Sequence, residues 1–204
     1  MDNIISVTNL SFSYGKKNIL DNVSFSLKGG SATALIGENG SGKSTLLTLL
    51  AGIISQSSGN IDVRGSIAYL PQEIALVEDL SFEDNLKFFA SLAGCTVPKK
   101  LPFDADRLRR IKIKRMSGGM KKLCSICCTL LKDADIYMFD EPCAALDKEH
   151  REMLCQHISE LVKNGKTVLY VGHDDAEYKS FADAELIVNN ESVTLKKLSG
   201  EATK

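Results

Sequence analysis

The sequence predicts an α/β fold built on a mainly parallel sheet. Three observations predict it. Short runs such as "DIYMFD" and "KTVLYVG" are almost wholly apolar, as strands buried on both faces must be. Helix-spaced segments alternate with them and would supply the two covering layers. A glycine loop, "GENGSGKST" (37–45), sits between an apolar run and a strong helical pattern, "TLLTLLAG".

The elements follow in order. "IISVTNLSFSY" and "NVSFSL" alternate β-formers with polar residues and predict antiparallel strands. "SATALIG" predicts a buried strand feeding the glycine loop. A helix runs from Lys43 to about Leu50, and "GNIDVRGSIAYLPQE" predicts two more short strands. The character changes near Ser81. "SFEDNLKFFASLAG" has helical spacing, with Ser81 as N-cap and Gly94 as stop. Pro98 and Pro102 separate it from the polar, basic "FDADRLRRIKIKR". "KKLCSICCTLL" predicts a helix, "DIYMFD" a strand, "DKEHREMLCQHISELVKNG" a helix ended by Gly165, "KTVLYVG" a strand and "AEYKSFA" a short helix. "AELIVNNESVTLKKL" predicts a closing hairpin around Asn189 and Asn190. The expectation is one domain over 1–204. An antiparallel β subdomain opens it, and a short helical subdomain of about 81–131 is inserted in the catalytic core.

Composition narrows the function. A formal net charge of −1 provides no global field for nucleic acid or an anionic membrane. No apolar run reaches the roughly 18–20 residues that span a bilayer. The N-terminus lacks the basic-then-apolar layout of a signal peptide. The expected location is therefore the cytosol, with six cysteines as reduced thiols. Cys124, Cys127 and Cys128 lie in a helical pattern and read as small residues facing a core rather than as a zinc or redox site.

The loop Gly37-x-x-x-x-Gly42-Lys43-Ser44 fits the phosphate-binding pattern GxxxxGK[ST] and makes the fold a P-loop NTPase core. A triphosphate needs inward-pointing N–H groups, and a backbone without Cβ atoms approaches it most closely. The helix start adds unpaired N–H groups and partial positive charge. Lys43 would reach the β- and γ-phosphates, and the Ser44 hydroxyl would ligate Mg²⁺. Asp140 and Glu141 end the apolar run "IYMFDE". A carboxylate there can hold Mg²⁺, and its neighbour can orient or deprotonate water.

"RMSGGMKK" joins these motifs into one pattern: phosphate loop, later SGG helix start, strand ending in Asp-Glu. From Ile4 to about Val188 the sequence resembles the ATP-binding subunits of ABC transporters, most of all the exporter-type ATPases. The resemblance implies ATP and Mg²⁺ as ligands. Gly37, Asn39, Gly40, Ser41, Gly42, Lys43, Ser44 and Thr45 would form the phosphate loop, and Tyr14 would stack on adenine. Ser44, Gln72 and Asp140 would serve the metal, with Gln72 linking it to the helical subdomain. Glu141 would activate water, and Lys43 and His173 would stabilise the γ-phosphate.

The family signature falls on Met116-Ser117-Gly118-Gly119-Met120, where Ser117, Gly118 and Gly119 would clasp the γ-phosphate held by a second ATP-binding subunit. "CAALD", ending at Asp147, would be the loop between subunits. The implied cycle is ATP-driven closure of a homo- or heterodimer and reopening on hydrolysis. The motion would pass to a separate transmembrane permease, placing the chain peripherally on the inner face of the cell membrane. The helical insert and the stretch after Gln72 would form the contact. Met116 and Met120 depart from the usual leucine and glutamine, and Met120 cannot offer an amide. His150 and His157 carry no role. No nucleic-acid partner is expected, although an ABC-type ATPase or clamp on ribosome or DNA is the alternative reading.

Overall fold

The computed structural model describes residues 2–172 and 174–198. Two long strands, β1 (Asn3–Tyr14) and β2 (Lys17–Lys28), form a hairpin, and β4 (Ser58–Val63) adds to β1. All three pair antiparallel in the order β2-β1-β4. The second sheet contains β3 (Ala32–Ile36), β5 (Ile67–Leu70), β6 (Ile136–Asp140), β7 (Thr167–Val171), β8 (Ala184–Asn189) and β9 (Ser192–Lys197). Its order is β5-β6-β7-β3-β8-β9, parallel throughout except for the β8–β9 hairpin.

The helices are α1 (Lys43–Leu50), α2 (Phe82–Ala93), α3 (Gly118–Thr129), α4 (Lys148–Lys163) and α5 (Asp175–Tyr178). Every residue of β6 and β7 is buried, because both sheet faces are covered. Strand alternation splits them between two cores. Ile136, Met138, Leu169 and Val171 pack with α1 and the β1–β2 hairpin. Tyr137, Phe139, Val168 and Tyr170 pack with α2, α3 and α4. Cys124, Cys127 and Cys128 are buried free thiols in this second core, and burial raises their pKa values.

Ser81 caps α2 by accepting from the Asp84 amide, and Gly94 ends it in a left-handed conformation. Two expectations are adjusted. The closing turn places positive φ at Asn190 and Glu191, so it is centred one residue later than Asn189–Asn190. "FDADRLRRIKIKR" forms only 3-10 turns, at Pro102–Leu108 and Ile113–Arg115. Phe103 and Asp104 are left-handed there, which interrupts any longer helix.

Candidate active site

Strand register assembles the site. Leu70 of β5 pairs with Phe139 of β6, so Gln72 and Glu141, two residues further along each chain, emerge side by side. Gln72 Nε2 donates to Glu141 Oε2 at 3.1 Å. Asp140 pairs with Val171, whose other neighbour is Leu35 of β3. The glycine loop and the two carboxylates therefore leave the same edge of the sheet, where α/β folds hold ligands.

The loop closes tightly around a lysine. Gly37 has φ +152°, and a Cβ there would run into the carbonyl oxygen of Val188. Gly42 caps α1 at φ 106°, with no capping side chain and no acidic residue in the first turn. Lys43 is 6% exposed, and its ammonium donates to the carbonyls of Gly37 at 2.8 Å and Glu38 at 2.9 Å. The positive end of α1 is thus left uncompensated by its own sequence. Asn39 and Gly40 form the exposed tip, and Ser44 and Thr45 lie in the first helical turn. The buried Ser41 hydroxyl has no hydrogen-bond partner among the described residues. A cavity of about 270 Å³ runs along Glu38–Ser41 to Lys17–Ile19 and the Asn190 turn. Tyr14, 55% exposed, ends β1 opposite Lys17 and meets Phe12 edge to face.

Asp140 is 1% exposed. Burial pushes its pKa up, and Glu141 adds to the shift. The Ser44 hydroxyl bond and the charges of Lys122 and Lys43 oppose it. Among the described residues its Oδ1 has no hydrogen-bond partner. A buried carboxylate oxygen left over beside a serine hydroxyl suits a hard cation such as Mg²⁺. Glu141 is left-handed at φ 49°, a conformation costly for a residue with a side chain, and its amide donates to the Val171 carbonyl at 3.0 Å. Its place at the strand end is therefore imposed by the surrounding sheet.

The signature lies elsewhere on the chain. Ser117 is the N-cap of α3, and its hydroxyl accepts from the Met120 amide at 3.3 Å. A Cβ on Gly119 would come within 2.6 Å of the Ala145 carbonyl oxygen. Gly118 and Gly119 thus lie against the loop that follows Glu141. A cavity of about 360 Å³ is lined by Ser117, Gly119, Met120, Arg107, Asp147 and His150, and shares no lining residue with the phosphate-loop cavity. Asp147 caps α4 and bonds the His150 ring at 2.8 Å, a structural use of both. His157 packs edge-on against Phe103, and burial lowers its pKa. His173 lies outside the described residues.

Sequence reasoning missed Lys122. It is 3% exposed, and its Nζ donates to the Gln72 carbonyl at 3.1 Å. No local signal marks it, because burial takes in every residue from Lys122 to Cys128 rather than one helical face. Beside this centre, β5 and α2 border a groove of about 370 Å³ that includes Tyr69, Pro71, Ala75, Phe89 and Leu92. Leu92 is 70% exposed there, and Phe88, Ile74, Val77 and Leu80 are exposed nearby in sequence.

A family model described as ABC transporter matches residues 20–144, more than half of the chain. An uncharacterized ABC transporter ATP-binding protein of Methanocaldococcus jannaschii is 35% identical over 192 residues, covering 90% of this chain and 73% of that protein. The linearmycin resistance ATP-binding protein LnrL of Bacillus subtilis is 32% identical over 200 residues, covering 88% and 64%. The chain thus spans about two thirds to three quarters of their length. Among solved structures, an ATP-binding subunit of an ABC transporter superposes with TM-score 0.87 at 28% identity, covering 96% of this chain and 90% of that one. A dimeric ATP-binding cassette bound to ADP and Pi, at 22% identity and TM-score 0.81, covers 96% and 99% and shares the fold. With the phosphate loop, the signature and the paired carboxylates in place, this chain belongs to the ABC transporter family and is one of its ATP-binding, ATP-hydrolysing members.

Proposed function

We propose that this chain powers a transporter by closing with a second ATP-binding subunit around two ATP molecules and passing that motion to a separate permease. The observation that carries the reading is the Gln72–Glu141 hydrogen bond set beside the unpartnered oxygen of Asp140. Metal-holding, water-holding and phosphate-holding groups meet at one strand edge.

In this reading Gly37, Asn39, Gly40, Ser41, Gly42 and Thr45 cradle the phosphates, and Lys43 moves from its loop carbonyls onto the β- and γ-phosphates. Tyr14 stacks on adenine, worth roughly 1–3 kcal/mol and tolerant of the base. Ser44, Asp140 and Gln72 would hold Mg²⁺. Bound there, Mg²⁺ would neutralise charge on the β- and γ-phosphate oxygens. Glu141 orients the attacking water and accepts its proton. His173 is assigned to the γ-phosphate on the resemblance alone.

The second clasp is Ser117, Gly118 and Gly119 of the other subunit. Two observations support an intermolecular clasp: the separate cavities within one chain, and the dimeric cassette that shares this fold. The helical subdomain, about 81–131, carries both the signature and one wall of the apolar groove. We assign that groove, with the stretch after Gln72, to the permease. Among the described residues no helix is long and apolar enough to cross a membrane. The relatives' names are those of ATP-binding proteins, so we place the chain on the cytoplasmic face of the cell membrane, held by its partner.

Glu141→Gln tests the chemistry. ATP binding should persist while turnover falls by about 10²–10⁴-fold, as for a lost general base. Near-normal turnover removes Glu141 from its role. Affinity isolation of the native chain should bring down an integral membrane protein. Recovery with ribosomes or nucleoid instead overturns the transport reading.

A further inference from the structure

We propose that Lys122 is a positioning residue that links the signature helix to the hydrolytic carboxylate of the same subunit. Its side chain crosses from α3 to the strand edge and donates to the Gln72 carbonyl at 3.1 Å. The Gln72 side chain in turn donates to Glu141 at 3.1 Å. The path therefore runs from Ser117, which caps α3, through Lys122 and the Gln72 backbone to Glu141. Each link is a single hydrogen bond or one helix.

Burial marks the interaction as more than surface packing. Lys122 is 3% exposed, whereas its neighbour Lys121 reaches out to Glu78 at 2.6 Å. A cation taken out of water costs free energy unless something repays it. Burial lowers the pKa of this ammonium, and the charges of Asp140 and Glu141 oppose that shift without cancelling it. Lys122 thereby serves two purposes. It pins the backbone of Gln72 so that its amide points at Glu141, and it offsets the mutual repulsion of two adjacent carboxylates. A shift of α3, which any force on the signature produces, is transmitted to the group that holds the attacking water.

This inference rests on the assignment of Glu141 to hydrolysis. The test uses the full chain with Lys122→Met, Lys122→Arg and Glu141→Gln in parallel. Methionine keeps the unbranched length and removes the charge. Because it leaves the Gln72 carbonyl without its donor and the two carboxylates uncompensated, Lys122→Met is expected to lower the melting temperature while the chain still folds. ATP affinity, read with a fluorescent ATP analogue, should stay within about threefold, while kcat falls at least about tenfold. Lys122→Arg should recover most of kcat. A merely structural role predicts a lower melting temperature with kcat preserved in the folded fraction. If Lys122→Met is unfolded, a double-mutant cycle decides. Lys122→Gln and Gln72→Ala should then be non-additive in kcat, and additivity overturns the proposal. Loss of kcat in Glu141→Gln with none in Lys122→Met refutes the link alone. Retained kcat in Glu141→Gln refutes the underlying assignment.

Discussion

The helix starts at Lys43 and at Gly118 are alike in charge and unlike in capping. Neither α1 nor α3 has an acidic residue in its first turn. The other helices do: Glu83 and Asp84 in α2, Glu149 in α4, Asp175 and Glu177 in α5. A carboxylate in the first turn satisfies the positive end of a helix internally. The two helices that forgo this device are the two we assign to phosphate. The caps then differ. Gly42 leaves the α1 amides without a side-chain acceptor, and the loop wraps around what they would bind. Ser117 already satisfies the Met120 amide, so under the proposed function α3 would offer a shallower contact to a phosphate held by another chain. In the proposed function one start would envelop an anion and the other would touch it.

The strongest way to break this comparison is Ser117→Asp. Aspartate caps a helix about as well as serine, and its charge suits the helix start. The melting temperature should hold or rise. Turnover should nevertheless fall by at least about 10²-fold, because the added charge faces a γ-phosphate that the site must stabilise. Retained turnover would mean that α3 never meets phosphate.

On the other side, Asp140→Asn separates stability from metal use. The folded-state pKa of Asp140 is raised by burial, so folding favours its protonated form. Its destabilising effect is absent below the ordinary aspartate range and complete above the raised value. The stability advantage of the Asp140→Asn variant over the parent, read by thermal unfolding, should therefore grow as pH rises through that interval. Mg²⁺-dependent activity should need roughly 10–100-fold more metal.

The smallest effect is expected for Met120→Gln, which restores the usual signature side chain. If the amide of Met120 and not its side chain matters, turnover should change by no more than about 0.5 kcal/mol, roughly twofold. A large gain measured in steady-state ATPase assays would show that the methionine weakens the clasp.

Much of this arrangement was legible in the sequence because it rests on local rules. Ser81 and Gly94 bound α2 as N-cap and stop residues should, and the apolar runs became the buried β6 and β7. The phosphate loop was readable because close approach and left-handed φ favour glycine at fixed spacing. What was not legible depends on register and packing. Nothing in "KKLCS" distinguishes Lys121, paired at the surface, from Lys122, buried beneath Gln72. Pro102 and Asp104 hint at a turn, but nothing local marks Phe103 as left-handed, because a bulky side chain usually avoids that conformation. The proximity of Gln72 and Glu141, 69 positions apart, exists only once β5 and β6 pair.

The account depends on a phosphate gripped by α1 of one subunit and α3 of another. The most direct test places single cysteines at Glu38 in one population and Arg115 in a second, both in the Glu141→Gln background with the partly exposed Cys95 and Cys155 replaced by serine. The two are mixed with ATP and Mg²⁺ and treated with a short bis-maleimide. The account predicts a covalent heterodimer that forms only with ATP. Full ATP binding without any such crosslink would contradict it.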